Sequence, residues 1–225
     1  MKVKFGMIVT DGSGKLGGQV MSSNKGGKYI RTKVTPSNPN TVAQQTARAI
    51  LSSLSTNWAG LSDTQRASWN GAVSGYATTD IFGDIKNPSG FNLYVKLNAN
   101  LSNAGLTLLV VAPEKIEVPY TGITSAIFDI SNTTGVITFD SASYDGEVLF
   151  VSATPSVSAG KSNVNSEFRG LGAFPVTAGA IDIYDAYVLK FGVPTAGANI
   201  SVRLAPIVST GQKGTNQSIK PTVQA

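Results

Sequence analysis

Ile123-Thr124-Ser125-Ala126-Ile127-Phe128-Asp129-Ile130, then Thr133-Thr134-Gly135, then Val136-Ile137-Thr138-Phe139-Asp140, reads as two β-strands around a turn. β-Branched and aromatic side chains fill both runs, and small polar residues separate them. The same grammar continues to the C-terminus. Further strands are predicted near Glu147–Thr154, Ser166–Arg169, Asp182–Phe191, Asn199–Val208 and Gln217–Val223, with a turn at Tyr144-Asp145-Gly146. Seven short strands within residues 113–225 predict an all-β sandwich of immunoglobulin (Ig) or fibronectin type III (FN3) kind. The chain has no Cys, so the inter-sheet disulfide is absent and the fibronectin-like variant, held by packing alone, is expected.

Upstream of this half the period changes to that of a helix. Ala43, Ala47, Ile50, Leu51, Leu54 and Trp58 form one apolar stripe, with Pro39 near its start and Gly60 at its end. Ser62-Asp63-Thr64-Gln65 fits a capping box: the Ser62 hydroxyl accepts from the Gln65 amide while the Gln65 side chain returns to Ser62. Ala67, Trp69, Ala72, Val73 and Tyr76 continue that second helix. A third begins at Ser89, after Pro88, and carries Phe91, Tyr94, Val95, Leu97 and Leu101 to an end at Asn103-Ala104-Gly105. Trp58 and Trp69, at helical spacing beside Leu and Ala, read as core. Leu106–Ala112 is the longest apolar run and reads as a linker or buried strand stopped by Pro113.

Ahead of the helices, Lys2–Phe5, Gln19–Ser22 and Lys28–Val34 predict three short strands around turns at Asp11-Gly12 and Gly26-Gly27. Such a meander has few large apolar side chains and is expected to complete its burial elsewhere. The expected fold is therefore α+β overall. Residues 1–112 form a basic N-terminal β-meander or arm with short helices, an assembly module, and residues 113–225 form the Ig/FN3-like sandwich.

The 225 residues are 41% apolar and 14% charged, which suits a globular chain. The absence of both His and Cys removes the usual general base, the thiolate nucleophile and the commonest transition-metal ligands, so neither an enzyme nor a cofactor is expected. Charge is uneven. Eleven basic and four acidic residues through Ala112 give +7, whereas seven basic and nine acidic residues beyond it give −2. The front half should face something negative. Tyr29 is the only aromatic residue within its basic cluster, which argues against nucleic acid and for acidic protein surfaces. Lys25, Lys28, Tyr29, Arg31 and Lys33 are the candidate interface residues. No run approaches eighteen apolar residues, and Met1–Thr10 lacks a signal-peptide pattern, so neither membrane association nor export is expected.

Other chemistry has weak support. Gly12-Ser13-Gly14-Lys15 resembles a phosphate-binding loop, but the upstream Gly is missing and Leu16 stands where a hydroxyl belongs. Asp140, Asp145 and Glu147, with Asp182 and Asp185, offer oxygen ligands for calcium, yet at turns and strand edges they read as solvated. A Ser–Lys dyad drawn from so many Ser residues has no specificity.

The order Gly14-Lys15-Leu16-Gly17-Gly18, Asn24–Arg31, Val34-Thr35-Pro36-Ser37-Asn38-Pro39, Gln44-Gln45, Trp58, Leu61–Trp69 and Gly90–Asn98 resembles a family of tailed-bacteriophage virion proteins, including ones from phages of Bacteroidetes. The resemblance covers roughly residues 4–105 and implies a non-enzymatic virion structural protein. Its partners would be the major capsid protein or other virion proteins, and it would act in many copies or as a homo-oligomer. It would reside in the virion, assembled in the bacterial host cytoplasm. A capsid auxiliary or decoration protein is the favoured form. A neck or tail component is the alternative, as is a surface or carbohydrate-binding adhesin using Tyr120, Tyr144, Phe168 or Phe174.

Overall fold

The computed structural model describes residues 1–4, 11–24, 27–118, 122–139, 147–158, 160–161 and 163–225. The fold is α+β. The first sheet joins β1 (Gly14–Leu16), β2 (Gln19–Asn24) and β3 (Gly27–Thr32) in an antiparallel meander. Its first described strand, Gly14–Leu16, was not among those expected: Gly17-Gly18 makes a two-residue hairpin that pairs Leu16 with Gln19, while of the expected Lys2–Phe5 only an isolated bridge from Lys2 to Tyr29 forms and Phe5 lies outside the described residues. Gly17 takes φ 56, which favours glycine. Met1 and Val3 add backbone hydrogen bonds along the outer edge of β3.

Three helices follow. Helix α1 (Val42–Gly60) starts behind Thr41, just inside the expected boundary, because Thr41 and Gln44 form a capping box of their own. Helix α2 (Asp63–Ala72) begins as expected: Gln65 N–H donates to Ser62 Oγ at 3.3 Å and Ser62 N–H to Gln65 Oε1 at 2.8 Å. It tightens into a 3-10 turn at Val73–Tyr76. A two-stranded hairpin, β4 (Thr78–Thr79) and β5 (Ile85–Lys86), leads to α3 (Gly90–Ala104), capped by Ser89. Leu54, Leu61, Trp69, Tyr76, Leu93, Tyr94 and Leu97 make one core. Trp69 is fully buried and packs edge-on to Tyr94, with ring centroids 5.2 Å apart, so the core reading of that ring holds.

Residues 106–113 form no ladder. They run over the helices, bending at Val110 and Val111, and are strapped there by side chains. The buried Asn98 amide accepts from Leu109 N–H at 2.7 Å and donates to the Leu109 carbonyl at 3.2 Å. Trp69 Nε1 donates to the Val110 carbonyl, and the Tyr76 hydroxyl to the Pro113 carbonyl. Side chains thus meet backbone groups that a neighbouring strand would otherwise serve.

The C-terminal half holds two four-stranded sheets around a second core. One has the order β10-β7-β6-β13, built from β6 (Ile123–Asp129), β7 (Thr134–Phe139), β10 (Ala180–Asp182) and β13 (Val223–Gln224), with β13 parallel to β6. The other has the order β12-β11-β8-β9, built from β8 (Val148–Ala153), β9 (Arg169–Pro175), β11 (Val202–Ile207) and β12 (Gln217–Ile219). Three expectations change here. Asp182–Phe191 is not a strand. It holds α4 (Tyr184–Phe191), so this half is not all-β. The aromatic and β-branched composition concealed a helical stripe at Tyr184, Tyr187, Val188 and Phe191, all of which pack on this second core. Asp182 Oδ1 starts the helix by accepting from Tyr184 N–H at 2.9 Å. The Ser166–Arg169 strand begins only at Arg169, behind a 3-10 turn at Asn165–Glu167. Gln217–Val223 divides between two sheets at Lys220-Pro221.

The two cores share a wall. Helix α3 lies against β8, β9 and β11. Strand alternation puts Val148, Ala205 and Ile207 on the outer face of their sheet, yet all three are buried. Gly211, at φ 74, touches α3: a Cβ there would lie 2.5 Å from the Leu97 carbonyl oxygen.

Candidate functional site

The N-terminal sheet has two unlike faces because strand side chains alternate. Register places Lys15 opposite Val20, Val20 opposite Arg31, Ser22 opposite Tyr29 and Tyr29 opposite Lys2. Lys2, Lys15, Tyr29 and Arg31 therefore share one cationic face. Met21 faces Ile30, and Met1 and Leu16 fall on the same apolar face. Leu16 is 70% exposed, and Met21 and Ile30 are only half-buried.

The candidate interface residues divide between these faces. Tyr29 and Arg31 lie together, whereas Lys28 points to the apolar side, where its Nζ sits 3.0 Å from Asp11 Oδ1. That hydrogen bond, reinforced by the Gly12 N–H, holds the Asp11 carboxyl below the usual carboxylate range. Lys33 follows the end of β3, exposed, with its N–H on the Gly18 carbonyl at 2.8 Å. Lys25 lies outside the described residues. Lys2 and Lys15 complete the cationic face although neither belongs to the basic cluster in the sequence. Hairpin register finds them: the Gly17-Gly18 loop fixes which side Lys15 takes.

The sheet meets the rest of the chain through Lys4. Its Nζ lies 2.8 Å from Asp84 Oδ2 and 5.3 Å from the centre of the Phe82 ring. The Asp84 hydrogen bond raises the Lys4 pKa. Arg48, one of the front-half cations, acts locally. Its guanidinium donates to Asn38 Oδ1 at 2.7 Å and to Asn40 Oδ1 at 3.2 Å, tying the loop before α1 to the helix. The first turns of α1 overhang the core. Ala43, Ala47 and Leu51 continue the Leu54–Trp58 stripe but are exposed.

The remaining candidates resolve into local roles. Gly14 and Lys15 lie in a strand, with no helix N-terminus behind them to cradle phosphate. Asp182 Oδ1 is occupied by the Gly135 and Tyr184 amides. Burial raises the Glu147 pKa. Asp140 and Asp145 lie outside the described residues, and among the described residues no group of three or more acids forms a metal cluster. No described helix is long and apolar enough to cross a membrane. Comparison with protein-family models, curated proteins and solved structures finds no match.

Proposed function

We propose that the chain is a non-enzymatic bacteriophage virion structural protein, a capsid auxiliary or decoration protein that fastens to the head shell through its N-terminal sheet and the overhanging turns of α1. The observation that carries this reading is burial. No described residue ahead of Leu54 is buried, although that part of the chain forms regular sheet and helix. A small sheet with one apolar face gains its stability from a surface that covers it. The same segment carries eight basic residues against the single acid Asp11, which favours an acidic protein surface as the cover. In a symmetric shell many copies add modest contacts into firm attachment.

We further read the C-terminal half as an Ig/FN3-like sandwich, packed or displayed outside the attachment point. Strand order supports this. The β6-β7 hairpin shares a sheet with β10, and β8, β11 and β12 share the other with β9 beside β8, as sheet-switching sandwiches of that kind do. Helix α4 and β13 are additions to it. The glycan-binding alternative has less to stand on. Phe168 lies beneath the Arg203 guanidinium at 4.0 Å, Phe174 packs against the core, and Tyr120 and Tyr144 lie outside the described residues.

Particles produced with a chain lacking residues 1–35 test the proposal. Loss of incorporation, with the remaining chain still folded, is the expected result; normal incorporation overturns it. Imaging of labelled chain on intact particles should mark the head, and signal confined to the portal vertex or tail transfers the protein to the neck or tail.

A further inference from the structure

A groove crosses the seam between the helices and the sandwich. Its larger lobe, about 680 Å³, is walled by α3, by residues 115–118 and by residues 212–215. A second lobe of about 310 Å³ shares Tyr76 and Lys96 with it and reaches Lys86 in β5. Lys96, Lys115 and Lys213 line the first lobe, and Glu117 is the one carboxylate among the described lining residues. None of these four lysines is ion-paired among the described residues, where the ion pairs use Lys4, Lys28, Arg66 and Lys161. Lys213 Nζ also lies 5.7 Å from the centre of the Phe150 ring and Lys86 acts on the Asp80 carboxylate, but cations set along one groove still favour an added anion.

The walls are fixed before any ligand arrives. Gln212 Oε1 accepts from Ile116 N–H at 3.0 Å, and its Nε2 donates to the Glu114 carbonyl at 2.7 Å. Asn100 Nδ2 donates to the Gly211 carbonyl at 2.9 Å. A site held this way loses little freedom on binding. Leu97, Ile116 and Val118 give the groove apolar patches between its charges.

We propose that this groove receives an extended acidic segment of a protein partner, with carboxylates at Lys86, Lys96, Lys115 and Lys213 and apolar side chains seated between them. Two features favour peptide over nucleic acid. Among the described lining residues the only ring is Tyr76, which is 8% exposed with its hydroxyl engaged by Pro113 and so offers no platform for a base. The described lining also lacks Arg, the residue suited to bidentate phosphate contacts. The groove lies outside residues 1–53, so this inference stands apart from the attachment of the N-terminal sheet.

Fluorescence polarisation of a labelled peptide of alternating glutamate and valine, added to the full chain, tests it. Saturable binding that weakens with salt is expected. The Lys96→Glu, Lys115→Glu double variant should bind at least about tenfold more weakly, while Lys190→Glu on α4 binds as the native chain does. Lys96, Lys115 and Lys190 are exposed, and circular dichroism verifies that each variant is folded. Equal binding by the double variant, or no binding by the native chain, overturns the proposal. So does displacement of the peptide by oligothymidylate at equal concentration, which assigns the groove to nucleic acid.

Discussion

Asn98 shows what one polar side chain does in a core. It is fully buried, and its amide serves the Leu109 N–H and the carbonyls of Tyr94 and Leu109. Asn98→Ala leaves the Leu109 groups without partners, and the unfolding free energy should fall by about 2–3 kcal/mol in urea denaturation. A loss below about 1 kcal/mol would mean that water substitutes for the amide. The sequence held a sign of this role: Asn98 sits four residues after Tyr94 and beside Leu97, a polar residue on an apolar stripe. What it grips was not legible, because the strap it holds has no periodicity of its own. The basic cluster failed differently. Lys28, Tyr29, Arg31 and Lys33 are neighbours in sequence, but alternation turns Lys28 away from Tyr29 and Arg31, so proximity along the chain overstated proximity in space.

Elements written in local signals were the most legible. The Ser62–Gln65 box and the Ser89 start of α3 depend on residues within one turn, and both formed where the sequence placed them. Elements decided by packing were harder to read. Tyr184–Phe191 contains good strand residues yet becomes a helix, because that geometry sends Tyr187 and Phe191 onto the core of the C-terminal half, with their rings 5.0 Å apart. The division of Gln217–Val223 between two sheets is likewise a tertiary outcome. The N-terminal sheet represents the opposite limit, an element on which little of its own chain packs. Replacing Met21 and Ile30 by Ser together should therefore move global unfolding by less than about 0.5 kcal/mol. Tryptophan fluorescence is the suitable probe, since Trp58 and Trp69 both belong to the helical core. A larger shift would show that the sheet supports the body as well as any partner.

At the scale of the whole molecule, buried phenols set an alkaline limit. Burial pushes the Tyr187 phenol up to about 12 and raises Tyr76 and Tyr94 as well. Above pH 10 the unfolded chain loses phenolic protons that the folded chain retains, so it binds fewer protons and stability falls as pH rises towards 12. Below pH 10 the phenols contribute no pH dependence. Thermal melts from pH 9 to pH 12 should show this decline, and Tyr187→Phe should make it shallower; an identical slope in the variant would remove Tyr187 from the account. The broad α+β division was legible because helical and strand periods occupy different stretches of the chain. The seam was not, since Gly211 and Leu97 are far apart in sequence and carry no shared pattern. That seam also limits how such a chain can diversify by recombination. A junction at Pro113 divides the helical and strand-rich stretches, yet an incoming C-terminal half would meet the bare flank of α3. It would need a hollow for that helix, and a residue without a side chain where Gly211 touches Leu97.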